Sequence, residues 1–406
     1  MRAVDTPRIA IVGAGIAGLT VAVSLRRAGI PCEVFEQASF FADAGAGIQI
    51  SPNGARILHR LGLADTLQKR SSQAWAIETR RWQDDTVLGR TELGPGCVAR
   101  FGAPYYLIQR ADLHRTLVEA LPAGTIRQGV VCTHVVEQDN GAVLHFRDGT
   151  TVTADLVIGA DGIHSVVRRG LIADTPIFSG FTVYRGLVPI DRVPHLFDRP
   201  QVLFWLGPGG HVTSYPIVSR QLIHFSAVIA SPDWDPKVWS APGQVADAVA
   251  AFQGWTDTVR DLIGAADTVT RWALFDREPT GRWHGQRTVL VGDAAHPMLP
   301  FMSQGANQAI EDAATLVTLL VRAGLERDAA LQAYQTLRQP RVAEVHRHAR
   351  IRGRTFHFQD GEQQRQRDAA MPKTEDIGSY EWLYGFDAEQ LPLDRAGAVS
   401  ESPLRR

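Results

Sequence analysis

The run Arg8-Ile-Ala-Ile-Val-Gly-Ala-Gly-Ile-Ala-Gly-Leu-Thr-Val-Ala, closed by Glu36, most constrains what this chain can fold into. Ile9 to Val12 reads as a buried strand, the glycines as a tight turn, and the residues from Ile16 as a helix. Gly13 permits the turn, Gly15 leaves the backbone open to a pyrophosphate, and Gly18 lets helix and strand pack closely. Free amides at the helix start, about Ala17, and the helix dipole favour a diphosphate there. Val34-Phe35-Glu36 reads as the second strand, with its terminal carboxylate placed to hold both ribose hydroxyls. A 2′-phosphate would be repelled, so the expected ligand carries an unmodified adenosine ribose, as in FAD or NAD.

Composition narrows the class without naming a reaction. At 406 residues the chain is long enough for two or three domains with sizeable cores. A formal charge of −1 gives no general attraction for nucleic acid or anionic membranes, and neither is expected as a partner. Cys32, Cys97 and Cys132 have no CxxC or metal-ligand spacing, so neither a disulfide framework nor a metal site is expected. No apolar run is long enough to span a bilayer, and the first strand begins too early for a signal peptide. A cytoplasmic protein, monomer or homodimer, is the expectation.

From Arg8 to about Gly170 the pattern alternates strand and helix, with a hairpin over Val143 to Val152 turning at Asp148-Gly149. Between Phe181 and Ala230 short β-rich runs follow one another, separated by Pro and Gly, and read as an inserted antiparallel sheet. Helical periodicity returns over Val245 to Ala266, a buried strand over Arg287 to Gly292, and a long helix over Gly305 to Ala323. The last sixty residues read as an Arg- and Gln-rich helix followed by an irregular tail containing Trp382-Leu-Tyr-Gly-Phe. The expected division is residues 1–178 and 276–330 for a discontinuous dinucleotide domain, 179–275 for the β-sheet domain, and 331–406 for a C-terminal helix and tail.

Two more strands end in glycine and acid. One is Leu156 to Gly159 followed by Ala-Asp161-Gly, and the other is Val289-Leu-Val-Gly-Asp293. Ligands of open α/β sheets lie beyond such strand ends, which positions Asp293 for a ribityl hydroxyl. The helix from Gly305 directs its free amides, through Gly305, Ala306 and Asn307, toward the preceding loop. Such an N-terminus would stabilise the negative charge of a reduced flavin.

With these motifs in view, the chain resembles the class A FAD-dependent aromatic hydroxylases, the p-hydroxybenzoate hydroxylase superfamily. The likeness is strongest to the branch holding salicylate hydroxylase, 3-hydroxybenzoate 6-hydroxylase and 6-hydroxynicotinate 3-monooxygenase. It rests on the first glycine run with Glu36, Gly45-Ala-Gly-Ile-Gln-Ile-Ser-Pro-Asn, Gln109-Arg-Ala-Asp-Leu-His, Gly159-Ala-Asp-Gly, Gly292-Asp-Ala-Ala-His-Pro and Gln304-Gly-Ala-Asn-Gln-Ala-Ile-Glu-Asp-Ala. The resemblance implies an α/β fold: a Rossmann-like, GR2-type discontinuous FAD domain, an inserted antiparallel substrate sheet and a C-terminal helical segment. It implies FAD contacts at Gly47 and Arg110, and an Asp161 motif serving both FAD and the reduced nicotinamide. A surface pair with Asp112 is the competing reading of Arg110.

The implied reaction begins with hydride transfer from NADH or NADPH to FAD. O2 then adds at flavin C4a, and its distal oxygen attacks a ring made electron-rich by a phenolate or an amine. Strand alternation puts His211, Thr213 and Tyr215 on one face. The resemblance places His211 and Tyr215 in the substrate pocket, with His211 taking the phenol proton. A sheet histidine satisfied by its neighbours is an equally good reading of His211, and His296 and His224 are alternatives for the base. Pro300 matches a family proline beside the flavin, and as simple a reading is a helix-entry proline. Leu299, Phe301 and Met302 suggest a dry wall. Gln49 stands where hydroxynicotinate enzymes carry histidine, and Pro300 where 3-hydroxybenzoate 6-hydroxylases carry glutamine, which leaves a salicylate-type reaction nearest. Arg185 is a candidate carboxylate clamp whose face alternation alone does not fix. Tailoring of a larger secondary metabolite and a non-catalytic flavin sensor are the alternatives. A halogenase is disfavoured, since Lys69, Lys237 and Lys373 are the only lysines and no Trp-x-Trp occurs.

Overall fold

A computed structural model describes residues 8–40, 46–278, 281–322 and 326–391. Gly45, Ala323 at the end of the expected long helix, and the tail beyond 391 lie outside the described residues. The apolar strand Ile9–Val12 is buried throughout and sits at the middle of a five-stranded parallel sheet. Its neighbours are Leu156–Gly159 on one side, then Thr288–Leu290, and Cys32–Glu36 on the other, then Ile126–Gln128. All three glycine–acid strands therefore end along one edge, as ligand binding beyond strand ends requires. Helices Ile16–Arg27 and Gly305–Leu320 pack against each other and bury much of their length in the core of this domain. The expected hairpin is present as Gly141–Phe146 paired with Thr151–Ala154.

The β-rich middle forms an eight-stranded sheet ordered Ser240–Gly243, Val269–Asp276, Ile177–Pro189, Leu222–Ala230, Gly210–Ile217, Val202–Gly207, Ala76–Arg81 and Val87–Glu92. Its last two strands come from the first part of the chain, and Val202–Gly207 runs parallel to Ala76–Arg81. The sheet is thus antiparallel except at one junction, and it draws strands from both sides of residue 178. Local pattern carries no signal for that pairing, because it joins segments about a hundred residues apart.

Helix Arg327–Phe356 is thirty residues long and carries Pro340 inside it. It packs on helix Gly305–Leu320 through a buried ionic cluster. Arg338 pairs with Glu311 and Asp312, all three having no exposed side-chain surface, and Arg341 adds a second bridge to Glu311. Asn53 donates to Glu311 at 2.6 Å. The cluster is locked to the third glycine–acid turn, since Asp312 accepts from the Gly292 amide at 2.9 Å. The segment around Trp382 is ordered rather than irregular: Glu381–Tyr384 is a helical turn whose carbonyls are held by Arg341 and Arg56. Among the described residues no helix is long and apolar enough to cross a membrane.

Candidate active site

The first turn is built as its glycines require. Gly13 has φ +102°, where side chains other than glycine are strained, and its amide donates to the Phe35 carbonyl. A Cβ on Gly18 would lie 2.0 Å from the Gly13 carbonyl oxygen, so only glycine allows that approach. A Cβ on Gly15 meets nothing within 4 Å, and Gly15 faces the cavity with Ile16 and Ala17. Glu36 accepts from the Ala14 amide at 2.7 Å and the Ala38 amide at 2.8 Å, and His114 bonds the Ala14 carbonyl at 2.7 Å. The histidine of the Gln109-Arg-Ala-Asp-Leu-His motif thereby pins the glycine turn.

Beyond the strand ends lies a cavity of about 390 Å³. One side is the dinucleotide domain: Gly15, Ala17, Gly47, Arg110, Asp293, Gly305 and Ala306 all line it. The Asp293 side chain opens into the cavity with no protein hydrogen bond among the described residues, and its enclosure raises its pKa. Arg110 also faces the cavity, and Asp112 pairs with Arg220 and Arg115. Two further expected residues spend their side chains within the protein. The Asp161 carboxylate caps the short helix Val166–Arg169, accepting from Ser165 at 2.5 Å and the Val166 amide at 2.6 Å, while Ala160 and Gly162 face the cavity. The Asn307 side chain is consumed by the Ser51 amide and the carbonyls of Gln49 and Ser303.

The opposite wall is the inner face of the large sheet. Register aligns three rows across three strands: Val183, Val228 and His211; Arg185, Ser226 and Thr213; Leu187, His224 and Tyr215. All but Leu187 line the cavity, so the face of Arg185 is that of His211. Arg185 has no ion pair or hydrogen bond among the described residues, although the fold encloses it. Burial draws its pKa down, yet a guanidinium stays charged through such a shift. Tyr215 is buried, which raises its pKa, and Gln49 beside it accepts from the Tyr105 hydroxyl at 2.6 Å.

His211, 4% exposed, is held through Nδ1 by Nε2 of His357 at 2.8 Å. Burial, then the neighbouring imidazole, holds its pKa well below the ordinary histidine value, so it is neutral. His224 is also neutral, pushed by burial and Arg185 to about 3, and both its nitrogens are used, by the Gly47 amide and Ser226. His296 lies behind the wall against Asp312 at 2.5 Å. Of the three candidates, then, His211 has a ring nitrogen left to face a ligand. Pro300 lines the cavity at the start of a short 3₁₀ turn, and its carbonyl accepts from the Ser303 amide at 2.9 Å. Phe301 stands edge-on to His211, while Leu299 packs with Val183 and Val228 in the wall behind. A second cavity of about 710 Å³ adjoins the first, sharing Gln49, Phe204 and Ser303 with it. His357 and Tyr105 were missed by sequence reasoning; each is apart in sequence from the residue it touches and lies in no motif.

Residues 6–349 match the family described as FAD binding domain. The chain belongs to this family. Over 384 residues it is 62% identical to a 3-amino-4-hydroxybenzoate 2-monooxygenase of Streptomyces platensis, covering 95% of this chain and 97% of that one. It is 38% identical to a 6-hydroxynicotinate 3-monooxygenase of Bordetella bronchiseptica, across 84% of this chain and 90% of that one. Among solved structures, Klebsiella pneumoniae HpxO complexed with FAD and uric acid superposes with a TM-score of 0.81 at 28% identity, covering 89% and 92% of the two chains. The protein is an FAD-dependent aromatic monooxygenase acting on a small aromatic substrate, and the sensor reading is not favoured. The cavity fits the cofactor: an open glycine turn, an unpaired carboxylate and a helix N-terminus converge on it beyond the strand ends. Among the described residues no cluster of His, Cys, Asp or Glu could hold a metal ion.

Proposed function

We propose that this protein hydroxylates an aminophenol carboxylic acid of the 3-amino-4-hydroxybenzoate type at position 2, using NAD(P)H and O2. The observation that carries this reading is Arg185, an enclosed cation without a protein partner among the described residues, on a sheet wall whose other cavity-facing side chains are neutral, with Arg110 and Asp293 on the opposite, cofactor side. A guanidinium in that setting suits a carboxylate, which it meets with two parallel hydrogen bonds. The 62% identical relative is named for this substrate and position.

FAD, when bound and reduced, supplies one atom of O2 in electrophilic form; the other leaves as water. The rest falls to the chain. Position 2 of such a ring is ortho to the amine and meta to the hydroxyl, so the directing electron pair is that of the amine nitrogen. That nitrogen must be neutral, and its N–H becomes acidic as the pair moves into the ring. Neutral His211 stands on the same wall as Arg185, one row away, with a nitrogen to accept that hydrogen. Arg185 fixes the ring by its acid end, and Phe204, Phe301 and Val228 keep water from the reacting face. Glu36, Asp293, Arg110 and the Gly305–Ala306 amides would hold the cofactor. NAD(P)H would visit the same opening, and a cytoplasmic setting suits three unpaired thiols.

The test is a panel: purified holoenzyme with NADH or NADPH and 3-amino-4-hydroxybenzoate, salicylate or 6-hydroxynicotinate. The aminohydroxybenzoate should stimulate reductant consumption most and give one product hydroxylated at position 2. Greater coupling to either of the other acids would overturn the substrate assignment.

A further inference from the structure

We propose that His357, at the end of helix Arg327–Phe356, is the second member of a proton relay that carries away the proton His211 takes from the substrate. The inference rests on the reading of His211 as the base. The two rings lie 5.0 Å apart between centroids and are inclined by 15°, with Nδ1 of His211 and Nε2 of His357 2.8 Å apart. Their remaining surroundings are aromatic. Phe204, Phe301 and Phe356 close on His211, and Phe181 and Phe301 on His357. His357 is the titratable group that bears on His211 among the described residues, and Arg367 is the cation that bears on His357. In such a box an imidazolium is costly, since a buried charge lacks both water and a counterion.

A single proton sits between the two rings. For His211 to accept from a substrate its Nε2 must be bare, so Nδ1 carries the hydrogen and donates it to Nε2 of His357. His357 then carries its own hydrogen on Nδ1. That atom is buried and has no hydrogen-bond partner among the described residues. Such an orphan calls for an explanation, since a buried polar hydrogen without a partner is destabilising. The relay supplies one. As the substrate N–H breaks and an Nε2–H bond forms on His211, the Nδ1–H of His211 passes to Nε2 of His357. The Nδ1–H of His357 then passes to a water molecule on the far side, and no ring keeps a charge. Nδ1 of His357 has no exposed surface, so the last transfer requires a water to reach it from the adjoining larger cavity, which the flanking Phe356 and Phe358 line. The reverse sequence resets the pair when the product is reprotonated.

Single-turnover kinetics on reduced holoenzyme mixed with O2 and 3-amino-4-hydroxybenzoate test this, using His357→Gln, His357→Phe and His211→Ala. Gln places an amide oxygen near the Nε2 position, so it keeps the His211 tautomer and passes no proton. Both His357 variants should slow the hydroxylation step about tenfold or more, with the rate of flavin reduction and the substrate Kd within about twofold of the parent. In the His211→Ala background, His357→Gln should add no further loss. A His357→Gln enzyme as fast as the parent would reduce His357 to an orienting group and overturn the relay. If His211→Ala itself leaves hydroxylation unchanged, the reading of His211 as base is what fails, and the relay falls with it.

Discussion

Removing the charge of Arg185, as in Arg185→Gln, takes from the substrate wall the cation proposed to meet a carboxylate and leaves only Arg110, across the cavity, among its cationic lining. A charge-assisted hydrogen bond of this kind contributes about 1.5–3 kcal/mol, so KM for an aromatic acid should rise about tenfold to a hundredfold. Turnover of the matching carboxamide should barely change. Steady-state kinetics on acid and amide check this, and equal losses would show that Arg185 shapes the cavity rather than binding a carboxylate. Glu36→Arg should weaken FAD retention, read as the flavin-to-protein ratio after dialysis; an unchanged ratio would refute its ribose role. At this scale the sequence was informative where a role is local. Gly13 and Gly18 are dictated by contacts within one turn and its neighbours, whereas Arg185 has a face only once its strand is paired with Leu222–Ala230. His357 meets His211 across 146 positions, a distance no periodicity spans.

Elements meet in this molecule through a few close approaches. Strand Gly47–Ile50 comes so near the substrate sheet that a Cβ on Gly47 would lie 2.6 Å from the Tyr215 hydroxyl and 2.7 Å from the His224 ring. Gly47→Ala should therefore displace both side chains, costing about 1–3 kcal/mol of stability. It should also uncouple reductant consumption from hydroxylation. Urea unfolding with a peroxide assay measures both, and an unaffected protein would mean the strands do not approach as described. Between the two long helices the buried cluster sets a larger penalty. Arg338→Met strands Glu311 and Asp312 with one cation fewer and should cost about 3–5 kcal/mol, seen as a lowered Tm. A change under about 1 kcal/mol would contradict a fully buried pairing. The Gln304 to Ala313 motif was legible as a motif, but its Glu311 and Asp312 face Arg338 and Arg341 rather than the cavity, which only helix packing decides.

Across the whole molecule the same neutral imidazoles make stability depend on pH. His224 and His357 are held by burial near about 3 and about 4, and His211 also lies well below the ordinary value. The unfolded chain takes up these protons near pH 6.5, the folded one only far lower. Stability is therefore complete above about pH 6.5 and falls toward about pH 4, at up to about 1.4 kcal/mol per pH unit for each imidazole. Asp312, where burial is outweighed by His296 and Arg338 to give about 2, adds a further loss below about pH 4. Unfolding midpoints across that range check the sign, and a flat profile between pH 4 and 6.5 would contradict buried neutral histidines. The three-strand edge that receives FAD was legible because each strand carries its own glycine–acid signature. The eight-stranded sheet was legible in part, since Ala76–Arg81 and Val87–Glu92 are ordinary strands until paired. All of this converges on one cavity between the cofactor domain and the substrate sheet. The most direct measurement supplies holoenzyme with NAD(P)H, isotopically heavy O2 and 3-amino-4-hydroxybenzoate, and reads the product by mass spectrometry. One heavy oxygen atom in the ring, at a yield matching reductant consumed, is the predicted result; unlabelled acid recovered beside hydrogen peroxide would contradict it.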